Sequence, residues 1–139
     1  MTTIVAHRKY RQMAADSLAV DQGIETLCVK LFRVKGDLIG CAGSFAAGME
    51  FIEWYKDKRQ KKPDTQSDFV ALVLTKNAEL HQYESNCVRM LVAEEYYSIG
   101  TGAAIAFAIM DRGGTPHDAV EAAIRRDSGT GGAIQVESV

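Results

Sequence analysis

The sequence predicts an α+β fold in which two sheets pack face to face with helices outside. Short apolar runs separated by polar turns occur before residue 44 and again between residues 69 and 93, as expected for antiparallel strands. One amphipathic helical pattern separates these two groups of strands, and two further helical segments precede a final apolar run at residues 133–136. Strands that are grouped in this way, rather than alternating with helices, are typical of α+β proteins.

Two hairpins are predicted in the first third of the chain. Their strands are residues 2–6, 13–15, 28–34 and 38–42. Polar residues 8–11 form the first turn, and Lys35-Gly36-Asp37 forms the second. We therefore expect two antiparallel pairs before the first helix.

The first helix is predicted to begin after Ser44, whose hydroxyl can cap it. Its apolar positions recur at helical spacing and are Phe45, Met49, Ile52 and Tyr55. Trp54 and Tyr55 are interpreted as packing residues, and the basic stretch 59–62 as the solvated end of the helix. A loop and three strands are predicted to follow at residues 61–67, 69–74, 80–83 and 87–93.

Two further helices and a strand complete the predicted fold. Residues 101–112 are rich in alanine and apolar nearly all round, which predicts a helix clamped between layers and ended by Gly113-Gly114. The next helix runs to about residue 126, and its start is marked by Thr115, Pro116 and Asp118. A glycine-rich turn at 128–132 leads to the last strand.

Composition and charge exclude several classes of function. The chain has 139 residues, of which 47% are hydrophobic and 24% charged, as expected for one globular domain spanning residues 1–139. A net charge of −2 provides no basic field for nucleic acid or an anionic membrane. The apolar stretch 99–110 is too short to span a bilayer, and the N-terminus lacks the apolar core of a signal peptide. We therefore expect a cytoplasmic protein.

The cysteine, histidine and glycine patterns predict no metal and no cofactor. Reduced, buried thiols without zinc or disulfide spacing are expected at Cys28, Cys41 and Cys87. The histidines that match no metal motif are His7, His81 and His117. Segments 100–102 and 128–132 are glycine-rich but lack the remaining residues of nucleotide-binding loops.

Thr2 follows the initiator methionine. If Met1 were removed, one residue would carry both a weakly nucleophilic hydroxyl and an α-amine that can act as its base. The alternative interpretation is a small residue that opens a strand. Thr2 alone does not decide between them.

Six segments occur in the order found in one enzyme family. They are Thr2-Thr3-Ile4-Val5-Ala6, Ala14-Ala15-Asp16-Ser17, Val29-Lys30, Gly40-Cys41-Ala42-Gly43-Ser44, Ile99-Gly100-Thr101-Gly102 and Asp127-Ser128-Gly129-Thr130-Gly131-Gly132. Together they resemble the proteasome β-subunit and HslV peptidase family of N-terminal nucleophile hydrolases, from residue 2 to about residue 136. The resemblance implies a four-layer αββα sandwich.

The resemblance also implies a role for each matched residue. Thr2 would be the nucleophile and its α-amine the base. Lys30, paired with Asp16, would keep that amine neutral and stabilise the developing alkoxide. Without a terminal threonine, the same pair would be read as an ordinary half-buried salt bridge.

Further matched residues complete the implied site. Gly43 would donate its backbone N–H to the oxyanion. Thr101, Asp127 and Thr130 would orient the terminal amine, although Asp127 alone could be a solvated charge and Thr130 alone a turn residue. The residues implied to line an apolar substrate pocket are Ala19, Cys41 and Phe45.

The chain departs from the family's pattern in three respects. A second helix usually follows the first, but only nine residues separate Arg59 from Phe69, so the sandwich is predicted to be shortened by one helix. The hairpin between Lys30 and Gly43 is short, which alters the pocket. Met1 precedes the nucleophile, and the small side chain of the next residue favours its removal.

Three functions remain open from the sequence. The first is a threonine-type endopeptidase that acts on unfolded polypeptides inside a homo-oligomeric ring, with an ATP-dependent unfoldase as a partner. The second is an amidase that opens small amides with the same nucleophile. The third is a non-catalytic, ring-forming structural homologue that retains Met1. The presence of Asp16, Lys30 and Asp127 favours the peptidase, because a purely structural subunit does not need them.

Overall fold

Eleven strands and three helices form within residues 2–64 and 67–139, the part of the chain that the computed structural model describes. The helices are α1 (Phe45–Lys56), α2 (Ala103–Asp111) and α3 (Pro116–Arg126). The strands are β1 (Thr3–His7), β2 (Gln12–Ala15), β3 (Leu18–Asp21), β4 (Ile24–Leu27), β5 (Leu31–Val34), β6 (Asp37–Gly43), β7 (Phe69–Leu74), β8 (Leu80–Glu84), β9 (Arg89–Val92), β10 (Tyr96–Gly100) and β11 (Gln135–Ser138). The predicted order of strands, helix, strands, two helices and a strand is confirmed.

The strands of the described residues form two larger antiparallel sheets and a separate hairpin. One sheet has the order β10-β1-β2-β11, and the other has the order β5-β6-β7-β8-β9. The hairpin pairs β3 with β4. β1 therefore lies inside the four-stranded sheet, between its neighbour along the chain and a strand more than eighty residues away.

The two larger sheets pack face to face, as β1 illustrates. All of its residues are buried. Ile4 and Ala6 belong to an apolar cluster that also contains Leu38 and Leu72 of the five-stranded sheet. Val5, which lies between them in the sequence, packs instead with residues of α2 and α3. Because side chains alternate between the two faces of a strand, β1 is covered on both sides.

Helices cover the outer faces of both sheets. α1 packs on the five-stranded sheet through Phe51, Trp54 and Tyr55, in one cluster with Val73. α2 and α3 pack on the four-stranded sheet. The resulting order of helix, sheet, sheet and helices confirms the predicted α+β, four-layer αββα sandwich. It also confirms Trp54 and Tyr55 as packing residues, since each is only 7% exposed.

Two predicted helix caps are present. Ser44 Oγ accepts a hydrogen bond from Ala47 N at 3.3 Å and caps α1. Thr115 Oγ1 accepts from Asp118 N at 3.2 Å, while Asp118 Oδ2 accepts from Thr115 N at 3.0 Å. This reciprocal capping box fixes the start of α3.

The observed strands differ from the predicted ones both in their bounds and in their number. The strand predicted at residues 28–34 begins at Leu31, so residues 28–30 lie outside the sheets. The last strand begins at Gln135 rather than at residue 133. β3, β4 and β10 were not predicted. All residues of β4 are exposed, so this strand has no buried face to impose an alternating apolar pattern.

The prediction that α2 is clamped between layers is wrong. α2 lies in an outer layer, where only Ala106 and Met110 are fully buried and Ala104 and Ala108 are exposed. Alanine tolerates either environment, so an alanine-rich helix appears apolar all round in the sequence without being covered all round. The apolar face predicted for α1 is also wrong at Phe45, which is 66% exposed.

The connection from α1 to β7 is short, as predicted. No helix occurs among residues 57–64 and 67–68, in agreement with a sandwich shortened by one helix. The predicted loop 61–67 includes Thr65 and Gln66, which lie outside the described residues, as does Met1. No helix in the described part of the chain is long and apolar enough to cross a membrane.

Candidate active site

Thr2 lies at the start of β1, beside the end of β10. The pairing of Thr3 with Gly100 brings Thr101 next to Thr2, whose backbone nitrogen donates to Thr101 Oγ1 at 3.4 Å. Gly100 has a φ of +97°, and a Cβ at this position would overlap Thr2 O. Glycine therefore permits the close approach of the two backbones. The Thr2 residue is only 7% exposed.

The Lys30 ammonium joins Thr2 to Asp16. Lys30 Nζ donates to Thr2 Oγ1 at 3.0 Å and to Asp16 Oδ1 at 2.9 Å. The lysine side chain is 7% exposed and the aspartate side chain is fully buried. A positive charge therefore stands within hydrogen-bond distance of the threonine hydroxyl, in surroundings that screen it less than bulk water would.

The Asp16 carboxylate also organises the backbone around it. Oδ1 accepts from Thr3 N at 3.0 Å, and Oδ2 accepts from Leu18 N at 3.3 Å and Gly131 N at 3.0 Å. These donors satisfy a buried charge that would otherwise be costly. They also connect the start of β1, the start of β3 and the glycine-rich turn through a single side chain.

A second carboxylate holds the hydroxyls on the other side of Thr2. Asp127 Oδ2 accepts from Thr101 Oγ1 at 2.6 Å and from Thr130 Oγ1. The hydrogen bond from Thr101, followed by that from Thr130, holds the pKa of Asp127 below its ordinary value. Thr130 Oγ1 in turn lies 2.8 Å from Thr3 Oγ1.

The ionised carboxylate sets the direction of these hydrogen bonds. A hydroxyl has one proton, and an ionised carboxylate only accepts. Because Thr101 donates its proton to Asp127, Thr101 Oγ1 is an acceptor for the backbone nitrogen of Thr2. By the same reasoning, Thr3 donates to Thr130. The surroundings therefore orient one N–H of residue 2 toward Thr101.

Gly43 lies at the end of β6, on the border between two cavities. It has a φ of +97°, and a Cβ there would lie 2.7 Å from Asp68 O, so no larger residue fits without displacement. One cavity, of about 510 Å³, contains Gly43 together with Thr2 and Lys30. The other, of about 720 Å³, contains Gly43 with Thr101 and Asp68.

The smaller cavity contains all three residues predicted to bind substrate. Ala19, Cys41 and Phe45 line it beside Thr2 and Lys30. Apolar side chains dominate the remainder of the wall, notably Leu18, Val20, Val29, Phe32 and Met49. Burial raises the pKa of the Cys41 thiol to about 12, so this group is a neutral wall residue and not a thiolate nucleophile.

The structure thus brings the ten predicted site residues together. Hydrogen bonds link Thr2, Asp16, Lys30, Thr101, Asp127 and Thr130. Gly43 and the three pocket residues meet Thr2 in the smaller cavity. The histidines are dispersed, with His7 and His81 buried and His117 half exposed. Among residues 2–64 and 67–139, no cluster of His, Cys, Asp or Glu has the arrangement of a metal site.

Thr3 and Gln135 are in contact with this site, and no role was predicted for either from the sequence. Thr3 is fully buried and bonds both to Asp16, through its nitrogen, and to Thr130, through its hydroxyl. Gln135 bonds to the backbones of Asp16 and Lys30. Nothing in the local pattern around residue 135 indicates these contacts, which span more than one hundred residues.

The αββα sandwich of this chain places a threonine directly before β1, beside a buried lysine and aspartate. Comparison with solved structures identifies this sandwich as the proteasome/HslV-like fold, which confirms the fold implied by the resemblance in the sequence. HslV from Trypanosoma brucei is similar over 98% of each chain, with a TM-score of 0.80 and 19% sequence identity.

A second similar protein comes from a bacterium. BPH of Thiobacillus denitrificans in complex with epoxomicin matches over 99% of this chain and 98% of its own, with a TM-score of 0.76 and 14% identity. Another structure of BPH gives a TM-score of 0.68 and 15% identity over 99% of this chain and 96% of the other. No protein-family model and no curated protein sequence matches the chain.

Proposed function

We propose that the chain is a threonine-type endopeptidase that hydrolyses peptide bonds with Thr2 once Met1 has been removed. The observation that carries this proposal is the position of Lys30 Nζ, 3.0 Å from Thr2 Oγ1 and 2.9 Å from Asp16. A buried lysine–aspartate pair alone is an ordinary structural feature. Its direct contact with the hydroxyl of the residue that would become terminal supports a catalytic arrangement.

In the proposed reaction, the α-amine of Thr2 acts as the general base. With Met1 absent, one N–H of this amine is directed to Thr101 Oγ1, and its lone pair can accept the Thr2 hydroxyl proton directly or through a water molecule. The Lys30 ammonium keeps the amine neutral by electrostatic repulsion. It also stabilises the negative charge that develops on Oγ1 as the oxygen attacks the peptide carbonyl.

The acyl-enzyme then forms and breaks down in two balanced steps. The tetrahedral oxyanion accepts a hydrogen bond from Gly43 N–H. It collapses as the C–N bond breaks, and the α-ammonium returns its proton to the leaving amine. Water then attacks the Thr2 ester as the α-amine takes a proton from it, the bond between Oγ1 and the acyl carbon breaks, and the α-ammonium returns the proton to Oγ1. The products are a carboxylic acid and the regenerated hydroxyl.

We infer that the substrates are polypeptides with an apolar residue before the scissile bond. The cavity of about 510 Å³ beside Thr2 has mostly apolar walls, including Ala19, Cys41 and Phe45. An apolar side chain would be desolvated there at a gain of roughly 25 cal/mol per Å² of buried surface. A charged side chain would lose hydration against these walls, where the charged residues are Asp21 and Lys30, and Lys30 is already paired with Asp16.

We further propose that the chain works as a homo-oligomeric ring. The 66% exposure of Phe45, and the apolar surface of α2, give the lone chain uncovered apolar area that neighbouring copies could bury. Enclosure of Thr2 would restrict hydrolysis to extended chains, and an ATP-dependent unfoldase would be required to supply them from folded proteins. Light scattering tests the ring: a monomer of 15.2 kDa at micromolar concentration would contradict it.

The decisive test of the peptidase compares the processed protein with Thr2→Ala. The N-terminal mass first establishes that Met1 is absent. We expect cleavage of a fluorogenic peptide by the wild type and a loss of several orders of magnitude in Thr2→Ala, which retains the amine but lacks the hydroxyl. Epoxomicin, which is present in a BPH complex, should add its mass to the wild type only.

The outcomes separate the three functions left open by the sequence. Equal peptide cleavage by wild type and Thr2→Ala would eliminate Thr2 as the nucleophile. Hydrolysis of small amides by a processed monomer, without cleavage of peptides, would indicate an amidase. Retained Met1 in an inactive ring would indicate a structural subunit.

A further inference from the structure

Lys30 is not held by a sheet, although the proposed chemistry depends on its position. It lies in residues 28–30, between β4 and β5, where no strand is formed. Cys28 N donates to Ser17 O at 2.8 Å and anchors the beginning of this segment. The Lys30 backbone has no ladder hydrogen bonds of the kind that fix residues inside β5.

The side chain of Gln135 provides the missing support. Its Oε1 accepts from Lys30 N at 3.0 Å, and its Nε2 donates to Cys28 O at 2.9 Å and to Asp16 O at 3.3 Å. One primary amide thus bonds to the segment as a neighbouring strand would, with an acceptor for an N–H and a donor for a C=O. It also contacts the backbone of both members of the buried ion pair.

The placement of Gln135 is itself fixed by a sheet. β11 pairs with β2 so that Gln135 faces Ala15, the residue before Asp16. The amide therefore extends from an ordered strand of the four-stranded sheet to the irregular segment that leads into β5 of the other sheet. A half-buried glutamine on an edge strand would ordinarily bond to water, whereas this one satisfies three buried or half-buried backbone groups.

We propose that Gln135 is a positioning residue that holds Lys30 Nζ between Asp16 and Thr2 Oγ1. The expected effect on catalysis rests on the proposed function. That the Gln135 amide fixes the Lys30 backbone rests only on the hydrogen bonds described above. Gln135 does not touch the reacting atoms and acts through Lys30.

The test replaces the amide with an apolar side chain of equal length. Gln135→Met removes all three hydrogen bonds and retains the strand. We expect kcat to fall about tenfold to a hundredfold, since displacement of a catalytic group by an ångström has effects of this size. KM should change much less, because Gln135 does not line the cavity with Thr2. The matched control is Glu137→Gln on β11, the strand that carries Gln135; this change removes an exposed ion pair with Arg33 of β5.

The pH dependence of kcat/KM distinguishes a positioning role of Gln135 from a merely structural one, which would leave that dependence unchanged. A displaced ammonium repels the protonated α-amine less, so the pKa of that amine rises and the acid limb of kcat/KM moves to higher pH. The other ionisable side chains around Thr2 and Lys30 in the described chain are Asp16, Asp21, Cys28, Cys41 and, through Thr101, Asp127. Gln135→Met alters none of them, and Glu137→Gln should leave the limb in place.

Amide hydrogen exchange of the Lys30 N–H tests whether Gln135 fixes the Lys30 backbone, and it needs no activity assay. In the wild type, the Lys30 N–H should be protected although it lies outside the strands, and Gln135→Met should remove that protection. Unprotected exchange in the wild type, or unchanged kcat and pH limb in Gln135→Met, would overturn the inference. If the wild type shows no Thr2-dependent hydrolysis, the proposed function fails, and the exchange comparison alone decides whether Gln135 holds Lys30.

Discussion

Replacing Lys30 with methionine should destabilise the protein far more than an ordinary surface ion pair would suggest. Methionine retains most of the apolar stem but removes the ammonium that bonds to Asp16 Oδ1 at 2.9 Å. The aspartate side chain is fully buried, so water cannot solvate its charge when the Lys30 ammonium is lost. The change therefore leaves an unpaired charge in the interior, which is among the costliest outcomes of a single substitution.

The structure sets the expected size of this effect. Breaking a buried ion pair by removing one partner costs about 3–5 kcal/mol in unfolding free energy. Asp16 still accepts hydrogen bonds from the nitrogens of Thr3, Leu18 and Gly131, which offset part of the loss. We therefore expect Lys30→Met to lie near the lower end, at about 3 kcal/mol.

Urea unfolding at one protein concentration provides the measurement. The control is Arg33→Met, which breaks an ion pair with Glu137 whose side chains are 46% and 54% exposed. Such pairs contribute less than about 1 kcal/mol. If Lys30→Met and Arg33→Met lowered the unfolding free energy equally, the Asp16 carboxylate would not be an obligate ionic partner, and the argument for a buried fixed charge beside Thr2 would be refuted.

Two further predictions concern charge and capping. Hydrogen bonds from Thr101 and then Thr130 hold the pKa of Asp127 below its ordinary value in the folded protein. Its carboxylate therefore stabilises the folded state fully above about pH 4, which is the pKa of aspartate in the unfolded chain. This stabilisation is lost as the pH falls through the lower pKa of the folded state. In urea unfolding from pH 7 to 3, the stability advantage of wild type over Asp127→Asn should therefore shrink; a constant difference would contradict the ionic role. Thr115→Ala should cost about 1 kcal/mol by removing the cap of α3, whereas replacement of an exposed mid-helix residue should not.

The sequence was sufficient for the architecture because its local signals agree with the packing. Ser44 and Thr115 mark helix starts through side-chain hydrogen bonds that need only neighbouring residues. The turn at Lys35 and Gly36 joins β5 and β6, as its composition predicts. Elements of this kind can be predicted without knowledge of their tertiary partners.

Elements whose character depends on distant neighbours were harder to predict. The hairpin of β3 and β4 turns at Gln22 and Gly23, both of which have a positive φ. Its second strand is exposed throughout and therefore has no alternating apolar pattern to indicate it. α2 has an apolar composition, but which of its sides is covered depends on α3 and β10. Composition alone does not supply this information.

The residues of the candidate site also divide into those that sequence signals indicate and those whose contacts depend on distant neighbours. The residues matched to family segments all meet around Thr2, because the six segments lie on elements that the fold brings together. Gln135 lies outside the six segments, and Thr3 lies inside the first of them without a predicted role. The contacts of both residues are set by strand register: Gln135 faces Ala15, and Thr3 faces Gly100. Register is decided by which faces of the sheets are buried, which a single sequence specifies only indirectly.

The contacts between residues far apart in the sequence have a consequence for the order of synthesis. Thr2 is synthesised well before residue 101, to which its nitrogen bonds, and the Asp16 beside it bonds to residue 131. Until those segments have emerged and packed, the hydroxyl of Thr2 lies in a chain without its lysine, its aspartate or its pocket in place. A nascent or truncated chain therefore lacks this environment, and the proposed hydrolysis would depend on completion of the fold without a separate inhibitor.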